Sequence, residues 1–123
     1  MKQVDIKFLK GYADAWNNHD IDGLMKYMTN DCIFETAGGE EAWGTRFQGA
    51  VEVRERFEAV WKDIKDAQWS QCRHFVSGDR GLSEWLFTGL TNDGKKIEMQ
   101  GCDVFTFRVG KIYKKSTYLK RKL

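Results

Sequence analysis

The stretch GCDVFTFRVGKIYKKSTYL (residues 101–119) reads as two β-strands joined by a tight turn, and it decides the fold. From Ile97 every second residue runs Ile97, Met99, Gly101, Asp103, Phe105, Phe107, and the intervening set is Glu98, Gln100, Cys102, Val104, Thr106, Arg108. A strand has period two, so Asp103 shares the face of Ile97, Met99 and two phenylalanines. An ionised carboxylate on such a face is costly unless a partner pairs with it or it takes part in chemistry. Asp103 is therefore the first candidate for a functional residue.

Working outward, the segments 68–77, 81–91 and 95–108 also have strand character, so with 111–119 they form an antiparallel meander. Upstream the pattern changes to helical. Val4, Phe8, Leu9, Tyr12, Ala13 and Trp16 fall on one stripe of a helix over residues 4–17. Asp20 caps a short second helix carrying Ile21, Leu24, Met25, Tyr27 and Met28, and residues 32–37 form a short strand. GGEEAWGTRFQG (38–49) has no period and reads as a loop, with Trp43 and Arg46 as its functional candidates. A third helix follows over 50–66, with Val53, Phe57, Val60, Trp61 and Ile64 inward. Helix, helix, strand, helix and then a meander is an α+β plan with the helices gathered on one face of a curved sheet.

The chain has 123 residues, no proline and no low-complexity run, so residues 1–123 read as one domain. Aromatic residues make up 14% of it, with 5 Trp and 8 Phe, a surplus that suits an apolar pocket or a hydrophobic subunit interface. The net charge is +2, with Lys111, Lys114, Lys115, Lys120, Arg121 and Lys122 in a basic end that reads as a solvated terminus; no nucleic-acid-binding motif accompanies it. Three cysteines without CxxC spacing point to free thiols in a reducing compartment, and neither a signal peptide nor a spanning segment is evident, which makes the cytoplasm the expected location. Two histidines without ligand spacing, His19 and His74, give no metal site.

Turn chemistry sets which side chains meet. Asp93-Gly94 as a two-residue turn pairs Asn92 with Lys95 and hence Glu84 with Asp103. A three-residue loop Arg108-Val109-Gly110, chosen because Val109 suits positive φ poorly, pairs Asp103 with Lys115. A two-residue turn at Gly78-Asp79 pairs Arg73 with Glu84. The expected cross-strand row is Arg73, Glu84, Asp103, Lys115, with neighbouring Cβ atoms about 4.5–5.5 Å apart. Two adjacent carboxylates on a half-apolar face do not both ionise freely unless the flanking cations neutralise them. The row is either a ladder of salt bridges or an acid/base site, and the second requires that it line a cavity. A slip of one residue would exchange Arg73 for His74 on that face. Tyr12 and Trp16 lie one turn apart on the helix stripe that faces the sheet, either as core or as cavity lining.

YADAWNNHDIDGLMKYMTNDCIFE, RFQGAVEVRERFEAVW and GCDVFTFRVGKI together resemble the nuclear transport factor 2-like superfamily, in particular its SnoaL-like and ketosteroid-isomerase-like branch. The resemblance spans nearly the whole chain. It implies a cone-shaped α+β fold, three helices on a curved, mostly antiparallel sheet enclosing an apolar pocket, and commonly a homodimer through the outer sheet face, where Trp85, Phe87 and Val104 are expected. It places a hydrogen-bonding tyrosine at Tyr12, an aspartic acid at Asp103 and the isomerases' general base at Thr36. Threonine is no carboxylate base, so ketosteroid isomerisation itself is not expected.

The function that follows is a small-molecule-binding domain carrying out cofactor-independent proton transfer on an apolar substrate, as in an isomerase, cyclase or dehydratase. Tyr12, Asp103 and Glu84 are its candidate catalytic residues; Trp16, Thr36, Trp43, Arg73, Phe105 and Lys115 are candidates for substrate binding. An epoxide-hydrolase-like use of Arg73, Glu84 and Asp103 ranks below it. The alternative is a non-catalytic binding or dimerisation module of the same fold.

Overall fold

The structure, a computed structural model, describes residues 3–123; Met1 and Lys2 of the charged N-terminal segment lie outside the described residues. Helices α1 (Ile6–Asn17), α2 (Ile21–Met25) and α3 (Ala50–Asp63) pack against a curved, unclosed sheet. Its strands are β1 (Met28–Glu35), β2 (Arg46–Gln48), β3 (Lys65–Ser77), β4 (Arg80–Leu90), β5 (Lys96–Arg108) and β6 (Lys111–Leu119), in the order β2-β1-β6-β5-β4-β3. All neighbours are antiparallel except β1 and β6, so the sheet is mostly antiparallel, as expected.

Helices α1 and α2 begin where the sequence offers a side-chain cap. Asp5 accepts a hydrogen bond from the Phe8 amide at 2.9 Å, and Asp20 accepts one from the Gly23 amide at 3.0 Å. Helix α1 buries Leu9, Tyr12, Ala15 and Trp16 on one stripe. At its C-terminal end Asn17 imitates a strand, donating to the Trp69 carbonyl at 2.8 Å and accepting from the Trp69 amide at 2.7 Å. That pair of bonds fixes α1 across edge strand β3 and so holds Tyr12 and Trp16 over the inner face of the sheet.

Several boundaries differ from the sequence reading. Helix α2 stops at Met25, and Met28 already pairs with Ile112 in the sheet. Helix α3 ends at Asp63 because Ile64 turns to extended backbone and Ala67 is buried within β3. The loop expected over 38–49 contains strand β2, held to β1 by the Arg46–Glu35 ion pair at 2.7 Å.

Two registers also differ, with unequal consequences. The loop joining β4 to β5 has three residues, Asn92, Asp93 and Gly94, closed by the Thr91 amide donating to Lys95 at 2.9 Å, with Gly94 at φ 83°. The Thr91 hydroxyl accepts from the Lys95 amide and bonds the Asp93 carboxylate, which selects this loop over the two-residue turn. Ser83 therefore opposes Asp103, and Glu84 opposes Cys102. An offset of one residue moves a side chain to the other face of the sheet. Glu84 leaves the predicted row and Ser83 enters it.

At the β5–β6 corner the loop has two residues, with Val109 and Gly110 both at positive φ, 48° and 75°. The extra residue is absorbed within the strands as a bulge next to Phe107, and Asp103 opposes Thr117 instead of Lys115. This offset is two residues. Lys115 therefore stays on the face of Asp103, one diagonal step away. The Gly78-Asp79 turn matches the reading, pairing Phe75 with Leu82 and Arg73 with Glu84.

Candidate functional site

The inner row that results is His74, Ser83, Asp103, Thr117, and the outer row behind it is Arg73, Glu84, Cys102, Tyr118. Asp103 is buried. Its Oδ2 accepts the Trp85 indole N–H at 3.0 Å, its Oδ1 accepts the Thr117 hydroxyl at 2.6 Å, and the Lys115 ammonium lies 3.7 Å from Oδ1. Gly101, opposite Trp85, makes the first bond possible: a Cβ there would come within 2.6 Å of the indole ring. The Trp85 ring lies across the glycine and delivers its N–H to Asp103. All three partners are donors, so the carboxyl group serves as an acceptor.

Lys115 is as buried as its carboxylate partner. Its ammonium lies over the rings of Trp16, Phe34 and Phe57, at 4.6, 4.7 and 5.0 Å from their centres. Burial pushes its pKa down, while Asp103 opposes that. Tyr12 packs edge-on to Phe105, and its hydroxyl contacts the Met28 sulfur at 3.6 Å. Burial, with a smaller contribution from the Asp103 charge, holds the Tyr12 hydroxyl well above its ordinary pKa and therefore in its neutral, hydrogen-bonding form.

Leu9, Tyr12, Ala13, Trp16, Trp69, Ser83, Trp85, Asp103, Phe105 and Lys115 line a cavity of about 20 Å³ between α1 and the sheet. That is room for one water. The Trp16 indole N–H, on a side chain lining this cavity, has no hydrogen-bond partner. The rest of the cone is filled by aromatic side chains, with Trp16 against Phe57, Trp61 and Trp69, and Trp69 against Phe87.

Residues 9–115 match the SnoaL-like domain. This chain belongs to the SnoaL-like family. No curated protein matches its sequence. Among solved structures of this kind, a candidate polyketide cyclase from Xanthomonas campestris pv. campestris superposes with a TM-score of 0.80 at 17% identity, over 91% of this chain and 87% of that one. A protein of cystatin-like fold from Xanthomonas campestris gives 0.82 at 20% identity, over 94% and 90%. TerC, co-crystallised with polyporic acid, gives 0.80 at 17% identity, over 94% and 90%. These likenesses establish the fold, the nuclear transport factor 2-like cone.

Within this SnoaL-like domain the structure brings together five of the nine candidate residues: Tyr12, Trp16, Asp103, Phe105 and Lys115 all line the cavity. Glu84 and Arg73 do not. They sit on the outer face, lining a separate crevice with Gln71, Gln100 and Lys120, because the β4–β5 register is one residue from the expected one. The proposed carboxylate pair and the Arg73, Glu84, Asp103 set for epoxide hydrolysis are thereby separated by the sheet. Thr36 closes the loop after β1, donating to the Gly38 carbonyl at 2.6 Å and accepting from the Thr45 amide at 3.0 Å. Trp43 is exposed, with the Arg46 guanidinium 4.4 Å from its ring centre.

Trp85 and Phe87, expected on the outer face, are buried on the inner one for the same reason of register; Val104 does lie outside, opposite Leu82. The sequence reading missed Ser83, Trp85 and Thr117 as neighbours of Asp103. A threonine immediately before Asn-Asp-Gly was the available signal, since its hydroxyl can bond within the loop and lengthen it by one residue.

Proposed function

We propose that this SnoaL-like domain is a small-molecule enzyme that uses Asp103 for cofactor-independent proton transfer, of the isomerase, cyclase or dehydratase kind, on a small apolar substrate. The observation that carries this reading is the setting of Asp103: a buried carboxylate at the floor of the helix–sheet cavity, oriented by Trp85 and Thr117, with an ammonium and a neutral phenol lining the same cavity. Asp103 takes a proton from carbon and returns it. Lys115 balances the negative charge that develops on the substrate oxygen, and Tyr12 donates a hydrogen bond to it. Trp16, Trp69 and Phe105 form the apolar walls. Entry of a substrate requires these side chains to turn or α1 to lift, since the cavity takes one water. TerC, co-crystallised with polyporic acid, supports a small-molecule ligand for this cone.

The test uses deuterium incorporation from D2O into 2-tetralone, a small apolar ketone with acidic α-hydrogens, followed by NMR. Wild-type protein should accelerate exchange above buffer. Asp103→Asn should lower the enzymatic rate by about 10²–10⁴-fold, the usual scale of general acid–base catalysis. Exchange that is absent in the wild type, or unchanged in Asp103→Asn, would remove the reading.

The small size of the cavity favours a second reading, a non-catalytic module whose working surface is the outer sheet face. Phe75, half exposed, lies there in register with Leu82 and Val104, and a homodimer through these residues is part of either proposal. No helix among the described residues is long and apolar enough to cross a membrane. Three free cysteines support a cytoplasmic location.

A further inference from the structure

We propose that His74 and Ser83 form a proton relay between solvent and Asp103, completed by one water molecule held in the cavity by Ser83, Asp103 and the Trp16 indole N–H. The inference deepens the reading of Asp103 as the acid/base. Three observations carry it together.

The first is the bond between His74 Nδ1 and Ser83 Oγ, 2.7 Å long. Ser83 is 5% exposed and lines the cavity, whereas His74 is half-buried on edge strand β3, so the pair crosses the cavity wall. The second is the register that sets Ser83 directly opposite Asp103 on the inner face. The third is the cavity's size, about 20 Å³, together with a buried donor on a lining side chain: Trp16 is 6% exposed and its N–H makes no hydrogen bond of normal length, although it lies close enough to Tyr12 to act on that hydroxyl. A buried water needs two to four polar partners. The Trp16 N–H, the Ser83 hydroxyl and the acceptor position left on Asp103 Oδ2, which takes only Trp85, supply three.

The proton balance is simple. A proton on Asp103 passes to the water, the water gives one to Ser83 Oγ, Ser83 gives its own to His74 Nδ1, and His74 releases one from Nε2 to solvent. The reverse order loads Asp103. His74 bonds Ser83 on β4, and the charged groups that act on it are Lys10 and Asp14 of α1. Burial lowers the imidazole pKa, Lys10 adds to that and Asp14 opposes it, so at neutral pH the ring is uncharged and able to accept. The relay lets Asp103 exchange protons with solvent between turnovers while the aromatic side chains of the cone stay in place.

His74 acts through Ser83, so its test needs readouts that a merely structural role would not move. Without any substrate, the 15N-labelled Trp85 indole, which donates to Asp103, should titrate with the same midpoint as the His74 ring, and Ser83→Ala should abolish that inflection while leaving the His74 titration in place. The Trp16 indole proton should show cross-relaxation to a long-lived water. A Trp85 signal blind to His74 in the wild type, an inflection that persists in Ser83→Ala, or a Trp16 proton without a water partner would overturn the relay, whatever the enzyme does.

With 2-tetralone, the wild-type exchange rate should rise with pH through the His74 midpoint. His74→Gln should lose that step, fall by about tenfold or more above it, and regain rate on adding imidazole, a scale within that of general acid–base effects. A His74→Gln profile like the wild type would overturn the relay while leaving Asp103 as the base. Loss of exchange in Asp103→Asn with an unaltered His74 titration distinguishes the two claims from the other side.

Discussion

Two buried carboxylates, Asp103 and Glu35, sit on opposite faces of the same sheet, and each has a lysine of β6 beside it. On the outer face, Glu35 is clamped by the Arg46 guanidinium at 2.7 Å and by Lys114 at 3.3 Å, both cations reaching solvent. Burial alone would raise its pKa, but these bonds and charges outweigh it and hold Glu35 below the ordinary carboxylate range. On the inner face, Asp103 is held mainly by neutral donors, and its one cation is itself buried, 3.7 Å away. A carboxylate saturated by close cations joins strands. On the proposal above, the one oriented by neutral groups beside a cavity is the one that exchanges a proton.

The sharpest way to break this contrast is to remove Lys115. Lys115→Met leaves Asp103 buried without a cation, and thermal or denaturant unfolding should show a loss of about 3–5 kcal/mol. The double variant Lys115→Met/Asp103→Asn should recover most of it, because replacing both members of a buried pair is often nearly neutral. Equal losses in the single and double variants would mean that packing against Trp16, Phe34 and Phe57, and not charge, accounts for Lys115.

Glu35→Gln should cost less, about 1–3 kcal/mol, since Arg46 and Lys114 retain water when their partner is lost. It should also change the response to acid. A folded-state pKa held below the unfolded value contributes stability that is complete above the unfolded value of about 4.3 and is lost as the pH falls through the lowered one. Unfolding free energy measured from pH 6 downwards should therefore fall less steeply in Glu35→Gln than in the wild type. A parallel fall would place the acid sensitivity elsewhere.

The smallest effect is expected at Glu84. It is exposed on the outer face, and Glu84→Gln should change stability by less than about 0.5 kcal/mol and leave 2-tetralone exchange at the wild-type rate. Loss of exchange there would restore the carboxylate pair that the register separates.

The helices, the meander and the Gly78-Asp79 turn were legible because period and cap residues determine them locally. Asp103 was legible for the same reason: a carboxylate in a row of Ile97, Met99, Phe105 and Phe107 stands out whatever its neighbours. Its neighbours were not, because they depend on loop length. Asp93-Gly94 fits a two-residue or a three-residue loop, and the choice rested on the Thr91 hydroxyl; the odd offset exchanged Glu84 for Ser83 and turned Trp85 and Phe87 inward. At the next corner Val109 adopted the positive φ that its branched side chain disfavours, yet the offset was even and Lys115 kept its face. Parity, more than the size of the error, decided what survived. Thr36 and Trp43 were drawn into the site by resemblance and by loop composition, and the loop bonds that hold Thr36 form only once β2 pairs with β1.

The central claim is that the inner carboxylate is the reactive one and the outer one a strand clamp. The direct test is the rate of deuterium incorporation into 2-tetralone by Asp103→Asn and Glu35→Gln, measured at a temperature where both are folded. Asp103→Asn should lose about 10²–10⁴-fold in rate, and Glu35→Gln should match the wild type. Equal losses in the two variants, or an Asp103→Asn protein as active as the wild type, would contradict the account.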